Sequence, residues 1–158
     1  MTRTRKLAQV LALIVPIAVL IVYRILPSKS PANLGVEDGR LAGCPDSPNC
    51  VSSQSDDPEH RVEPLPLRGS ASEALGRLKS VLEAMPRTRI VDERNGYLHA
   101  EATSLVFGFI DDLEFLVDED EQVIHVRSAS RVGHSDLGVN RDRVERIREA
   151  YGQSGGGE

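Results

Sequence analysis

Residues 88–105 read TRIVDERNGYLHAEATSL, and the fold turns on them. Asn95-Gly96 is a strong hairpin signal, because a two-residue turn needs positive φ angles that Asn and Gly adopt at least cost. After the turn, Leu98, Ala100 and Ala102 alternate with Tyr97, His99, Glu101 and Thr103. That period of two marks a half-buried strand. TRIVDE ahead of the turn supplies its partner. DLEFLV (112–117) repeats the alternation, with Leu113, Phe115 and Val117 inward. The acidic DEDEQ (118–122) reads as a turn, and QVIHVRSASRV (122–132) as the last strand.

Helices flank this antiparallel meander. Ser70-Ala-Ser-Glu73 is a capping box, with Ser70 as N-cap and Glu73 reaching back. Ala71, Ala74, Leu75, Leu78, Leu82 and Met85 follow at helical spacing until Pro86, predicting a helix over 71–85. Near the C-terminus Asn140 reads as an N-cap, Val139 and Val144 as a hydrophobic staple, and Val144, Ile147 and Tyr151 as a buried stripe. Arg141, Arg143, Arg146 and Arg148 are read as coating the exposed faces. HRVEPLPLRG allows one short strand, confined by Pro64 and Pro66 to an edge. The expected domain is α+β, in the order β-α-β-β-β-β-α: an antiparallel sheet of about 4–5 strands with two helices on one face.

The N-terminus carries a different expectation. Arg3, Arg5 and Lys6 precede a run from Leu7 to Val22 without charge. Extended to Leu26, the run reaches about 30 Å as a helix, enough to cross a bilayer. The expected architecture therefore begins with a single transmembrane helix, residues 1–27, with its N-terminus inside and the domain outside the cytoplasmic membrane. That outer side is periplasmic in a two-membrane bacterium. A cleaved signal peptide, with a small-x-small site at Ser30-Pro31-Ala32, is the alternative. Residues 28–58 read as an extended Pro/Ser/Gly-rich arm, 59–151 as the α+β domain and 152–158 as a flexible tail. Of 19 Lys and Arg, four precede residue 28, and none of the 24 acids does. The remainder has 15 bases against 24 acids, a net of −9. This argues against nucleic acid as a partner, since duplex binding depends on phosphate neutralisation. The expected partners are the cytoplasmic membrane through residues 7–26, and an anionic ligand or an envelope protein.

CPDSPNC (44–50) holds both cysteines. In an exported domain an even cysteine count reads as a disulfide, Cys44–Cys50. Two other readings stay open. One is a zinc site completed by two of His60, His99, His125 and His134, none of whose spacings fits a known finger. The other is a reduced nucleophile with His60 as base. No metal and no cofactor is expected.

RSASRVGHSDLGVNR (127–141) carries the candidate site. His125, Arg127 and Arg131 fall on one strand face, and Val126, Ser128, Ser130 and Val132 on the other. Arg127, Arg131, Arg141 and the N–H groups at the Asn140 helix end, with Ser128, Ser130 and Asp136 nearby, are candidates to bind a phosphate, a carboxylate or a lipid headgroup. The competing reading pairs these arginines with Glu101, Asp111, Asp112, Glu114 and Asp136 as structure. Catalytic readings are weaker. Asp111 and Asp112 are adjacent and so face opposite ways. Sets drawn from Ser128, Ser130, Ser135, His125, His134 and Asp136 lack a nucleophile elbow. A hydrolase using His60 or His134 with Asp111 or Asp136 is the remaining enzymatic alternative, and a ligand-free scaffold the structural one. No residue is assigned as catalytic.

LGVEDGRLAGCPDSPNCVSSQ (34–54), His60, FGFIDDLEF (107–115) and VRSASRVGHSDLGVNRDRVERIR (126–148) together resemble the bacterial and plastid family catalogued as domain of unknown function 1499. The resemblance covers about residues 34–150. It implies a small exported or membrane-anchored domain and carries no assigned activity.

Overall fold

The computed structural model describes residues 12, 14–16 and 29–154. The transmembrane helix expected over residues 7–26 lies outside them except at residues 12 and 14–16, which are helical. Among the described residues no helix is long and apolar enough to cross a membrane. The expectation of a membrane-spanning helix is corrected accordingly.

The strand count is also corrected. Four short strands, not one, precede the first helix: β1 (Val36–Glu37), β2 (Arg40–Leu41), β3 (Cys50–Ser52) and β4 (Leu65–Pro66). Then come α1 (Ala71–Ala84), β5 (Thr88–Arg94), β6 (Tyr97–Thr103), β7 (Ile110–Asp118), β8 (Val123–Ser130) and α2 (Val139–Gln153). β1 and β2 form a separate hairpin, whose turn residues Asp38 and Gly39 have φ of 49° and 74°. Asp-Gly is the composition such a turn requires. The other six strands make one sheet in the order β3-β8-β7-β6-β5, with β4 also on β8. The meander β5 to β8 is antiparallel throughout, as its alternation dictates. β3 and β4 are too short to show a period. They form because the outer edge of β8 would otherwise expose its backbone groups, and β3 (Cys50↔Ala129) and β4 (Leu65↔Ile124) cover it.

Register fixes the two faces. Leu98, Phe115 and Val126 stand abreast on one face. There they join Leu113 and Ile124 in a single core with Leu75, Leu78 and Leu82 of α1 and Val144, Ile147 and Tyr151 of α2. The Ser70–Glu73 capping box forms as read. At α2 the expectation fails. Its N-cap is Gly138, not Asn140, and helical geometry begins at Val139, so the proposed staple does not exist. Asp136 supplies the cap instead: its carboxylate accepts the Gly138 and Asn140 N–H groups at 3.0 and 2.8 Å. Arg143 is buried, not exposed, because Asp111 on the helix-facing side of β7 takes it as counter-ion at 2.6 Å.

Candidate functional site

The face opposite the helices is charged and nevertheless buried. Register sets Glu101 beside Asp112 and Glu114 beside Arg127, and the chain before β3 folds across them. Cys44 and Cys50 are joined by a disulfide that closes the loop of this arm. The Gly35 N–H donates to Glu114 Oε1 at 2.7 Å, and Leu41 N–H to Gln54 Oε1 at 2.9 Å, fastening the arm down.

Two clusters fill this face. In the first, Glu114 has no solvent exposure and accepts from three donors: Gly35 N–H, the Tyr97 hydroxyl at 2.9 Å and Arg127 Nη1 at 2.9 Å. Burial, then the adjacent Glu114 charge and hydrogen bond, raise the Tyr97 phenol above its ordinary range. In the second, Arg131 grips Asp112 through two hydrogen bonds, from Nε at 2.8 Å and Nη2 at 2.7 Å, and reaches Glu101 at 2.5 Å. His99 Nε2 donates to Asp112 at 2.8 Å, and Arg89 to Glu101 at 2.7 Å. Burial by itself raises the Asp112 and Glu101 carboxyls. The hydrogen bonds from Arg131 and His99 to one, and from Arg89 and Arg131 to the other, outweigh it and hold both below the usual carboxylate range. Hydrogen bonding to Asp112, against the opposing effect of burial, raises Arg131.

The seven residues proposed from sequence divide among four places. Arg127 and Arg131 share the arm-covered face. Ser128, Ser130 and Asn140 lie on the helix side, in one network: Ser128 Oγ donates to Asn140 Oδ1 at 2.5 Å, and Asn140 Nδ2 donates to Ser130 Oγ and to the Asn49 carbonyl, both at 3.0 Å. Asp136 caps α2. Arg141 clasps the carbonyls of Glu59 and Arg61 at 2.7 Å each, bracing the segment before β4. Arg127 and Arg131 thus do not converge with Arg141 and the α2 N-terminus.

A cavity of about 410 Å³ separates the disulfide loop from the charged face, bordered by Cys44, Pro45, Asn49, Asp112, Arg127 and Arg131. Arg127 is 5% exposed, and among the described residues its buried Nε–H has no acceptor. An N–H so placed costs the free energy of a missing hydrogen bond, about 1–3 kcal/mol.

The alternatives fare differently. The disulfide removes the cysteines as zinc ligands or nucleophile. His60 donates Nδ1–H to the Cys50 carbonyl at 2.8 Å and stands 4.0 Å from Asp57. Asp111 belongs to Arg143 and Asp136 to the α2 cap, so no described contact joins His60 or His134 to either aspartate. One grouping escaped the sequence reading. Asp118, Glu121 and His125 offer metal-ligand atoms within 4.8 Å of one another. Three ligating residue types within eight positions of an acidic turn were the available signal. Arg40 and Arg61 border the same hollow and supply opposing charge.

The chain belongs to the family described as "Protein of unknown function (DUF1499)", which it matches over residues 40–151. The match bears out the resemblance carried by the cysteine block and the RSASR block, and it takes in both clusters of the charged face except Gly35. No curated protein matches the chain.

Proposed function

We propose that this DUF1499 member is a non-catalytic binding module that accepts a small carboxylate or phosphate in the cavity beneath its disulfide arm. The observation carrying this reading is the buried Arg127 Nε–H, without an acceptor among the described residues, on a residue lining that cavity. Arg131, the other cationic border, is already matched to Asp112 and Glu101, so Arg127 is the residue left with hydrogen-bonding capacity. The Nε atom has no exposed surface, so an anion reaches it when the arm yields near Cys44 and Pro45. In this reading residues 29–58 of the arm are the cover and 59–151 the body. The disulfide supports a working place outside a reducing cytoplasm.

The test is NMR of the arginine side chains during titration with inorganic phosphate and, separately, acetate. The Arg127 Nε–H resonance is assigned by its loss in Arg127→Lys, which keeps a cation for Glu114. The expected result is a saturable downfield shift of that resonance, with the Cys44 and Ala129 amides moving alongside. If neither probe moves it, the charged face is a latch for the arm and the module reading fails.

A further inference from the structure

The sheet is polarised along its strands as well as across its faces. At one end lie the β5–β6 and β7–β8 turns, with Asp92, Glu93, Asp118, Glu119, Asp120 and Glu121. At the other end lie the loop 104–109 and the passage 131–138. Here the large exposed side chains are apolar, His134 apart. Leu137 is 92% exposed, Leu105 66% and Phe107 52%, and Val106, Phe109, Val132 and Val139 are exposed beside them. The Phe107 and Phe109 rings stack with centroids 5.3 Å apart. Residues 104–109 contain no charged residue, and Asp136 is the one carboxylate among 131–138. Asp136 is occupied in capping α2.

Monomeric proteins seldom present a cluster of this kind to water without a partner. Its chemistry and surroundings point to the kind of partner. Phe107, Phe109, Val132 and Val139 line a cavity of about 790 Å³ whose wall also includes Val15 and Pro16. Those two residues, from the uncharged stretch 7–22 of the sequence, thus stand at the same end of the domain. Basic residues flank the run: Arg3, Arg5 and Lys6 before it, Arg24 and Lys29 after it. Exposed apolar and aromatic loop tips, in a chain whose sequence carries these cations around an uncharged stretch, suit the headgroup and upper acyl region of an anionic bilayer. The acidic turns at the opposite end would then face away from the anionic surface.

We propose that the loops 104–109 and 131–138 form a rim that docks on a phospholipid bilayer, with Leu105, Phe107, Phe109 and Leu137 entering the headgroup–acyl boundary. The rim is independent of the arm cavity and stands whether or not that cavity binds an anion.

The chain has no tryptophan, so one introduced indole reports on its own position. Phe107→Trp in the full chain is mixed with phosphatidylcholine–phosphatidylglycerol vesicles, some carrying bromines on their acyl chains. The expected result is a blue shift on vesicle addition and loss of emission with brominated lipid, while Glu119→Trp at the acidic end shows neither. Leu137→Trp, at a far more exposed position, repeats the measurement if Phe107→Trp fails to fold. Two outcomes would overturn the proposal. One is a chain that sediments with vesicles while the indoles at 107 and 137 stay unquenched, which puts binding in the N-terminal run alone. The other is a blue shift that depends on protein concentration and not on lipid, which makes the rim an interface between copies of this chain.

Discussion

Leu98, Leu113, Phe115, Ile124 and Val126 on one face of the sheet, and His99, Glu101, Asp112, Glu114 and Arg127 on the other, are all buried. The first set lies under α1 and α2 and is stabilised by removing apolar surface from water, about 25 cal/mol per Å². The second lies under the arm and gains little that way. Its ions pay desolvation that their mutual attraction roughly returns, so the net stabilisation is small although each contact is strong. The helix-covered face therefore supplies free energy of folding. The arm-covered face supplies position, since each carboxylate fixes its donors, the Gly35 N–H of the arm among them, in one arrangement.

The difference can be broken most sharply at Arg131. Arg131→Ala leaves buried Asp112 with His99 and buried Glu101 with Arg89 as their remaining side-chain donors, and the expected loss is about 3 kcal/mol in urea unfolding. Removing charge on both sides, in Arg131→Met with Asp112→Leu and Glu101→Leu, should recover most of that loss. If the single variant melts like the parent, the face is not the paired network described. On the apolar face Leu98→Ala should lose about 2–5 kcal/mol. No second substitution of the charge-removing kind restores it, because the defect is a cavity. Reducing the Cys44–Cys50 bridge should act on the arm more than on the core. The chain-entropy value for so short a loop is about 2 kcal/mol, read as a shift in urea midpoint, with amides of residues 33–47 exchanging first.

The smallest effect at neutral pH is the titration of the charged face. Asp112 and Glu101 have folded pKa values below their ordinary values of 3.8 and 4.5. Their contribution is therefore complete above those ordinary values and is lost as pH falls through the depressed folded ones. Urea midpoints should be flat from pH 7 to about 5 and fall below about 4.5. Leu98→Ala should follow a parallel curve, while Asp112→Asn should show a shallower acid limb.

Much of this layout was legible in the residues. Asn95-Gly96, the alternation through Leu98–Ala102 and Leu113–Val117, and the Ser70–Glu73 box each state their structure within a few positions. Arg127 and Arg131 were assigned to one face, with Glu101, Asp112 and Glu114 among their possible partners, by the same period of two. What escaped was set by distant neighbours. Arg143 looks like a solvated helix residue until Asp111 is known to face α2. Asn140 looks like a cap until its amide is found between Asn49 and Ser130. Asp38-Gly39 did carry a hairpin signal, but strands of two residues leave no period to support it.

The sequence by itself determined the antiparallel meander, the side of it on which each side chain falls, and the first helix with its cap. These rest on contacts between residues a few positions apart, where propensity and alternation suffice. Only the tertiary structure decided that the second face is buried, and that the proposed site residues part company across the sheet. The bonds responsible join residues far apart in the chain, Gly35 to Glu114 across 79 positions and Asn140 to Asn49 across 91. Pairings of that range are selected by closing the whole chain on itself, and no local pattern of residues encodes them.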